Sequence, residues 1–256
     1  MDSQKEGGSR IIGRILPAAV RLWLRSQVEN VEALSLTLEG RDRQILSGYL
    51  PGVLVSAEQA IYQGIYINRL KLSAKDIRIN IGQVIRGKPL RLLQVFPVFG
   101  EVALTGDDLN ASLASPLLRS GLKDFWRLLV QDSAFSQSVE ERYGMMALHP
   151  EMVMREAQIR LGDRTLALSF YPQVEGQMAD VPIVLATGLS VISGNVLQLE
   201  SPRWLETLDA LIERAQNDPI ELLQGFQWDL GKDTQLTQLA LTPENLLCDG
   251  QIMVNP

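Results

Sequence analysis

Between Leu34 and Ile81 aliphatic residues recur at every second position, and the phase of that alternation reverses twice. Leu34, Leu36 and Leu38 alternate with polar residues, and Val53, Val55 and Ala57 do the same after Pro51-Gly52. Ile65 and Ile67 then fall out of step with Leu70, Leu72 and Ala74, which fall out of step with Ile77, Ile79 and Ile81. Period two belongs to a strand, whose successive side chains point to opposite faces. A reversal of phase requires a bulge or a bend, and repeated bends curl a sheet round its contents. The segment 31–105 is therefore predicted to be mostly strand, in a sheet that curls.

Within it, 90–105 is apolar on both faces. Leu92, Phe96, Val98, Val102 and Leu104 share one face, and Leu93, Val95, Phe99 and Ala103 share the other. A strand of this kind is covered on both sides. Two layers of core satisfy that, and so do core on one side and a ligand on the other. Helix is predicted in two pieces over 105–131, capped by Asp107 and by Ser115-Pro116. In the second piece Leu118, Leu122, Phe125 and Leu129 form one apolar stripe. The polar stretch 131–143 reads as loop. Strands are expected over 151–161, 164–171 and 181–200, a helix over 202–216 with Ser201 as cap, and strands again over 224–254. The run 181–199 is uncharged and of transmembrane length, but Pro182, Gly188 and the turn Ser193-Gly194-Asn195 make it strands. One phrase recurs three times: Leu104-Thr105-Gly106, Glu200-Ser201-Pro202 and Leu241-Thr242-Pro243, each followed by two residues and Leu. It is either a duplicated strand–helix corner or common capping chemistry.

Ahead of the strands, 9–28 reads as a basic amphipathic helix. Arg10, Arg14, Arg21 and Arg25 fall within roughly 60° of one another, opposite Ile11, Ile12, Ile15, Leu16, Leu22 and Trp23. Pro17 predicts a kink, or a helix that begins there. Such a helix lies on an anionic membrane or packs its apolar face on the domain. A second basic run, Arg69, Lys71, Lys75, Arg78, Arg86, Lys88 and Arg91, is relieved only by Asp76. Residues 1–130 hold 17 Lys and Arg against 12 Asp and Glu, whereas 131–256 hold 7 against 18, for a total of −6. Either the two halves face different surroundings, or solvated charge simply drifts along the chain.

Chemistry is hard to find. One cysteine, Cys248, excludes an internal disulfide and a Cys-based zinc site. One histidine, His149, excludes multi-histidine metal sites. No Gly-x-Ser-x-Gly elbow, Walker loop, Gly-x-Gly-x-x-Gly or His-Glu-x-x-His pattern is present. The adjacent pairs Asp107-Asp108 and Glu140-Glu141 point different ways on a helix and make poor acid–base pairs. No catalytic residue, cofactor or metal is therefore expected. Nucleic-acid binding is not expected either, because the basic run lacks a recognition helix or aromatic platform and the second half is acidic. Anionic lipid headgroups suit the same positive charge without base readout.

Three segments carry a resemblance. They are Gly40-Arg41-Asp42-Arg43-Gln44-Ile45-Leu46-Ser47-Gly48, Gly64-Ile65-Tyr66-Ile67-Asn68-Arg69-Leu70-Lys71-Leu72, and Val102-Ala103-Leu104-Thr105-Gly106-Asp107-Asp108-Leu109-Asn110-Ala111-Ser112-Leu113. In these the chain resembles the LmeA-like family of bacterial phospholipid-binding proteins, closely in the first half and loosely in the second. The resemblance implies an α+β fold, with an elongated, strongly curved antiparallel sheet wrapped around helices as in tubular lipid-binding proteins. It also implies an apolar cavity and phospholipid binding at a membrane or envelope surface.

The expectation is a helical segment over 1–30 followed by one lipid-binding body over 31–256. A phospholipid or other apolar ligand would contact Leu92, Phe96, Phe99, Leu118, Leu122, Phe125 and Leu129. An anionic membrane surface would meet Arg10, Arg14, Arg21, Arg25, Arg69, Lys71, Lys75, Arg86, Lys88 and Arg91. The N-terminus shows no apolar signal core, so the cytoplasm or the cytoplasmic face of a membrane is expected. The alternative is a protein-binding scaffold or assembly factor with a filled core.

Overall fold

A computed structural model describes residues 5–213 and 218–256, with side chains from 16–211 and 218–256. In chain order the elements are α1 (Lys5–Ser26), β1 (Ala33–Glu39), α2 (Asp42–Leu46), β2 (Tyr49–Tyr62), β3 (Ile65–Arg78), α3 (Ile81–Val84) and β4 (Phe96–Thr105). There follow α4 (Gly106–Ser112), α5 (Pro116–Leu129), α6 (Ser133–Tyr143), β5 (Val153–Gly162), β6 (Thr165–Val174) and β7 (Gln177–Met178). The chain ends with β8 (Ile183–Val191), β9 (Val196–Trp204), α7 (Ala210–Glu213), β10 (Asp218–Pro219), β11 (Gln227–Asp229), β12 (Thr234–Leu241) and β13 (Asn245–Val254). The fold is α+β, as expected, with its strands divided between two antiparallel sheets that do not close into a barrel.

The first sheet has the order β1-β2-β3-β4-β13-β12. Its longest hairpin, β2–β3, explains the phase reversals. Opposite faces of β2 are buried on the two sides of Gln59, where Ala57 and Ala60 are both core residues. Ala74 and Ile77 flank Asp76 in the same way. Gln59 and Asp76 both have positive φ, at 49° and 56°. One left-handed residue in a strand switches which face its neighbours present, a costly conformation for a side-chain-bearing residue that persists only where packing demands it. The chain accepts it here because both segments then reach apolar partners.

The core of this sheet lies on one face, against α1. Leu16 and Val20 of that helix pack with Ile45, Leu50, Val53, Val55, Ala74 and Ile79, while Leu34, Leu36, Leu38 and Leu72 add partly buried surface. The helix continues through Pro17. Tertiary packing holds it, the usual source of stability for an amphipathic helix.

The second sheet runs β10-β9-β8-β6-β5, with β11 beside β9 and β7 beside β6. Trp126 and Leu129 of α5 and Phe135 and Val139 of α6 cover one face, against Leu168, Phe170, Ile183 and Leu185. Leu205 and Leu211 cover Ala167, Val184 and Ala186 on the other face. Tight two-residue turns with positive φ at Gln63-Gly64, Glu175-Gly176 and the Asp163-Arg164 corner close the hairpins.

Three expectations are corrected. The stretch 131–143 is the helix α6, begun by Asp132, whose carboxylate accepts the Phe135 amide at 2.9 Å. Ser201-Pro202 does not start a helix over 202–216; β9 continues to Trp204 and only Ala210–Glu213 is helical among the described residues. A bulge there, with Ser201 at φ 49°, gives a kink that resembles a cap in sequence. The recurring phrase therefore marks three different corners: a helix start at Thr105, a bulged strand at Ser201, and the β12–β13 turn at Thr242, whose hydroxyl accepts the Asn245 amide. Finally, 90–95 is no strand. It runs beside 76–80 with one bridge, Ile79 to Leu92.

Helix α4 joins the sheets. Thr105 and Asp108 form a reciprocal capping box at its start. The Ser112 hydroxyl accepts the Tyr66 amide of β3 at 2.8 Å. On the other side the Asn110 side chain pairs with edge strand β5 as another strand would: its amide donates to the Ile159 carbonyl and its oxygen accepts the Ile159 amide, both at 2.8 Å. Asn110→Ala leaves both Ile159 groups without those partners, at about 1–3 kcal/mol. Urea denaturation is expected to show that loss with an unchanged slope, and Asn110→Asp is expected to restore only the half that accepts.

Candidate functional site

Two cross-strand rows form the face of the first sheet opposite α1. One runs Ser35, Ser56, Lys71, Glu101 and Asp249 across β1, β2, β3, β4 and β13; the other runs Thr37, Leu54, Ser73, Phe99 and Gln251. Residues from all six strands line one hollow of about 500 Å³, including Ser35 on one edge strand and Thr237 on the other. These edges lie five strand spacings apart, roughly 24 Å on a flat sheet. A shared hollow therefore requires the sheet to curl about this face, as the phase reversals predicted.

The lining is mixed, where the resemblance implied an apolar one. Ser35, Thr37, Ser56, Ser73 and Thr237 bring hydroxyls, and Leu54 and Phe99 bring hydrocarbon. Phe99 is 48% exposed and Leu54 46%, although each sits mid-strand with neighbours on both sides. Large apolar side chains left open inside a concavity are the usual lining of a ligand site. Lys71 stands beside them, 3.4 Å from Glu101, with both side chains well exposed. An exposed pair of this kind contributes little to stability and is readily exchanged for another anion.

The apolar surface does not stop at the hollow. Val95 and Leu93 precede Phe99 along the chain and are also exposed, while Leu90, Leu92, Phe96 and Val98 belong to the core cluster. The double apolar character of 90–105 thus resolves into one set covered by the chain and a second left open at Leu93, Val95 and Phe99, while Ala103 at its far end is buried.

The sequence-predicted ligand residues separate accordingly. Phe99 lines the hollow, whereas Leu92 and Phe96 pack against α1's core. Leu122, Phe125 and Leu129 pack into the core of the second sheet, Leu129 with no exposed surface, and Phe125 meets Trp228 at 5.0 Å between ring centres. Leu118 is half-buried in α5. Leu54 was missed, although its signal was present: it is the out-of-phase leucine in Val53-Leu54-Val55.

The predicted cations do not form one patch. Arg69, Lys71 and Lys75 occupy alternate positions on β3 and so share the hollowed face. Arg86, Lys88 and Arg91 lie on the loop beyond Arg78, at the end of the sheet where β2 begins. Arg21 and Arg25 lie on α1, which begins its packing beside Ile45 and Leu50 and leads to Asn30, which bridges Ile61 at the other end of β2. The side chains of Arg10 and Arg14 lie outside the described residues.

A second hollow, of about 860 Å³, lies between α4, β5 and Leu208–Leu211, and Arg203 lines it. Its Nε has no partner among the described residues, and burial pushes the guanidinium pKa down. Arg160, Asp107 and Asp163 also line it, so neither sign of charge predominates among its side chains. His149 merely accepts the Glu151 amide at 3.1 Å. Burial and Asp249 push the Cys248 thiol pKa up, away from the reactive thiolate. No helix among the described residues is long and apolar enough to cross a membrane.

Comparison with known proteins adds one finding. The model of a family described as LmeA-like phospholipid-binding matches residues 7–251. No curated protein and no solved structure matches the chain.

Proposed function

The chain belongs to the LmeA-like phospholipid-binding family, and from that premise we propose that it holds one phospholipid, without chemistry, on the hollowed face of the six-stranded sheet at an anionic membrane surface. The observation that carries this reading is the exposure of Leu54 and Phe99 beside Lys71 in a hollow lined by every strand of the sheet. A mixed lining of hydroxyls and hydrocarbon, with Lys71 standing beside Glu101 and Asp249, suits an amphiphile. Ser35, Ser56, Ser73 and Lys71 would take the phosphate and glycerol, and Leu54, Phe99, Val95 and Leu93 would take the acyl chains. Its volume falls within the ~300–1,000 Å³ of ordinary ligand sites, so it holds the polar part of a lipid with its chains laid along the strip.

Arg69 and Lys75 extend the positive row on either side of Lys71, and Arg86, Lys88 and Arg91 would meet the headgroups of the membrane. In this reading Leu118, Leu122, Phe125 and Leu129 support the second core rather than touch the ligand, and Leu92 and Phe96 back the wall that Phe99 faces. Pick-up and release at the surface would make the protein a carrier, and permanent retention would make it a lipid-holding subunit.

The reading is tested by organic extraction of gently purified protein and by titration with short-chain phosphatidylglycerol and phosphatidylcholine. One bound phospholipid per chain is expected. Lys71→Gln is expected to weaken phosphatidylglycerol by roughly fivefold, the equivalent of about 1 kcal/mol for one cation near an anionic surface, with the difference shrinking as salt is raised. A chain that carries no lipid and binds neither probe is instead the filled-core scaffold.

A further inference from the structure

The sheet end that carries residues 77–95 is at once basic and apolar. Those nineteen residues contain Arg78, Arg86, Lys88 and Arg91 and no Asp or Glu. The nearest acid in sequence, Asp76, is held by the Tyr49 hydroxyl, and helix α2, with Asp42 and Arg43, packs beside α3 at this end. The same stretch exposes Ile85 at 44%, Leu93 at 58% and Val95 at 47%.

These side chains do not project from a frayed loop. Ile79, Ile81, Val84 and Leu90 anchor it from behind in the first core. The Asn80 side chain clamps it from within, donating to the Pro89 carbonyl at 3.0 Å and accepting the Arg91 amide at 2.7 Å. The Leu93 amide donates to the Arg78 carbonyl, and the Gln94 side chain to the Asp76 carbonyl. A rigid, acid-free element that sets three bare aliphatic side chains among four cations matches an interface with hydrocarbon below and phosphate above. A protein partner of complementary acidity would satisfy the cations but would not require the aliphatics to stand free in water.

We infer that this end of the sheet is a membrane-insertion edge: Ile85, Leu93 and Val95 enter the acyl region of an anionic leaflet while Arg78, Arg86, Lys88 and Arg91 lie among its phosphates. The exposed strip Leu93–Val95–Phe99 then leads from the leaflet to the hollow. The purpose of the docking rests on the phospholipid-holding reading; the docking itself does not.

The test uses vesicles of phosphatidylcholine alone and of phosphatidylcholine mixed with phosphatidylglycerol. The wild-type chain is expected to sediment with the mixed vesicles and weakly with the neutral ones. The double change Leu93→Ser and Val95→Ser is expected to lower partitioning at least tenfold, since two exposed aliphatic side chains lose their burial. Arg86→Gln with Lys88→Gln is expected to lower it roughly twenty-five-fold, about fivefold for each cation removed. A polarity-sensitive maleimide dye on Leu93→Cys is expected to shift to the blue with mixed vesicles, and the same dye on Met145→Cys to stay unchanged. Both dye-bearing chains also carry Cys248→Ser, because Cys248 is only part-buried and is the one native thiol. Equal partitioning of the wild type and the serine variant, equal binding to both vesicles, or an unmoved dye at position 93 overturns the inference. Short-chain phospholipid binding in solution, measured on the Arg86→Gln, Lys88→Gln variant, whose changed residues lie outside the hollow, reports separately on the hollow, so failure of one claim is distinguishable from failure of the other.

Discussion

Trp126→Ala is expected to cost the fold about 3–5 kcal/mol, the range for removing a large buried aromatic. The ring is buried, lies 5.2 Å from Phe170 and 6.2 Å from Phe135 in edge-on contacts, and its Nε1 donates to the Ala147 carbonyl at 2.9 Å. Removing it leaves a cavity between α5, α6 and the second sheet, and a carbonyl without that partner. In a chain of this size such a loss lowers the melting temperature by roughly 10–15 °C. Trp126→Phe keeps most of the volume, loses the hydrogen bond, and is expected to fall between the two. Thermal denaturation followed by circular dichroism reads all three. Below its melting point the alanine variant is expected to bind short-chain phospholipid as the wild type does, because the second core is separate from the hollow. Loss of binding in a folded Trp126→Ala chain would move the ligand to the α5 stripe.

Phe99→Asp is expected to do the reverse. Phe99 is nearly half exposed on β4, so its replacement should change stability little, within the ±0.5 kcal/mol of surface changes. Bound lipid, however, would lose the contact of a phenyl ring and meet a carboxylate. Forfeiting one buried apolar side chain is worth about 2–3 kcal/mol, or ~30–150-fold in affinity. Leu54→Asp, two strands away from Phe99 in the same row with Ser73 between them, is expected to act in the same direction. Titration by calorimetry with short-chain phosphatidylglycerol measures the loss, and an unchanged melting temperature shows that it is not a loss of fold.

Much of this architecture is legible in the alternation of the first 105 residues. The reversals after Ile67, opposite Gln59, and after Ala74, at Asp76, announce bends without the backbone having been seen, because an aliphatic residue out of step has only the opposite face to go to. The segments that carry the family resemblance prove to be joints. Gly48, at φ 80°, lets the Ile79 carbonyl approach to where a Cβ would sit 2.5 Å away. Gly64 likewise abuts Ser115, and Asn110 and Ser112 fasten α4 to both sheets. What the sequence hides is non-local or polar. The pairing of β4 with β13 joins residues about 150 positions apart and leaves no local mark. Helix α6 offers only Phe135 and Val139 as buried apolar positions among polar neighbours, too few for a stripe. Pro202 in β9 imitates a helix start, because a bulge tolerates proline as a first turn does. For the site, the open face of 90–105 was visible as a second apolar register. Which register the chain itself covers depends on α1, which packs on one side of the sheet only.

The central claim is that the lipid lies against β2, β3 and β4 rather than within the second core. A phospholipid with a photoactivatable group in its acyl chain, loaded on the full chain, irradiated and mapped by peptide mass spectrometry, tests this most directly. Cross-links are expected on the peptides that contain Leu54, Val95 and Phe99, suppressed by excess unlabelled phosphatidylglycerol. Cross-links concentrated on α5 or on the second sheet, or a pattern that excess lipid does not suppress, would contradict it.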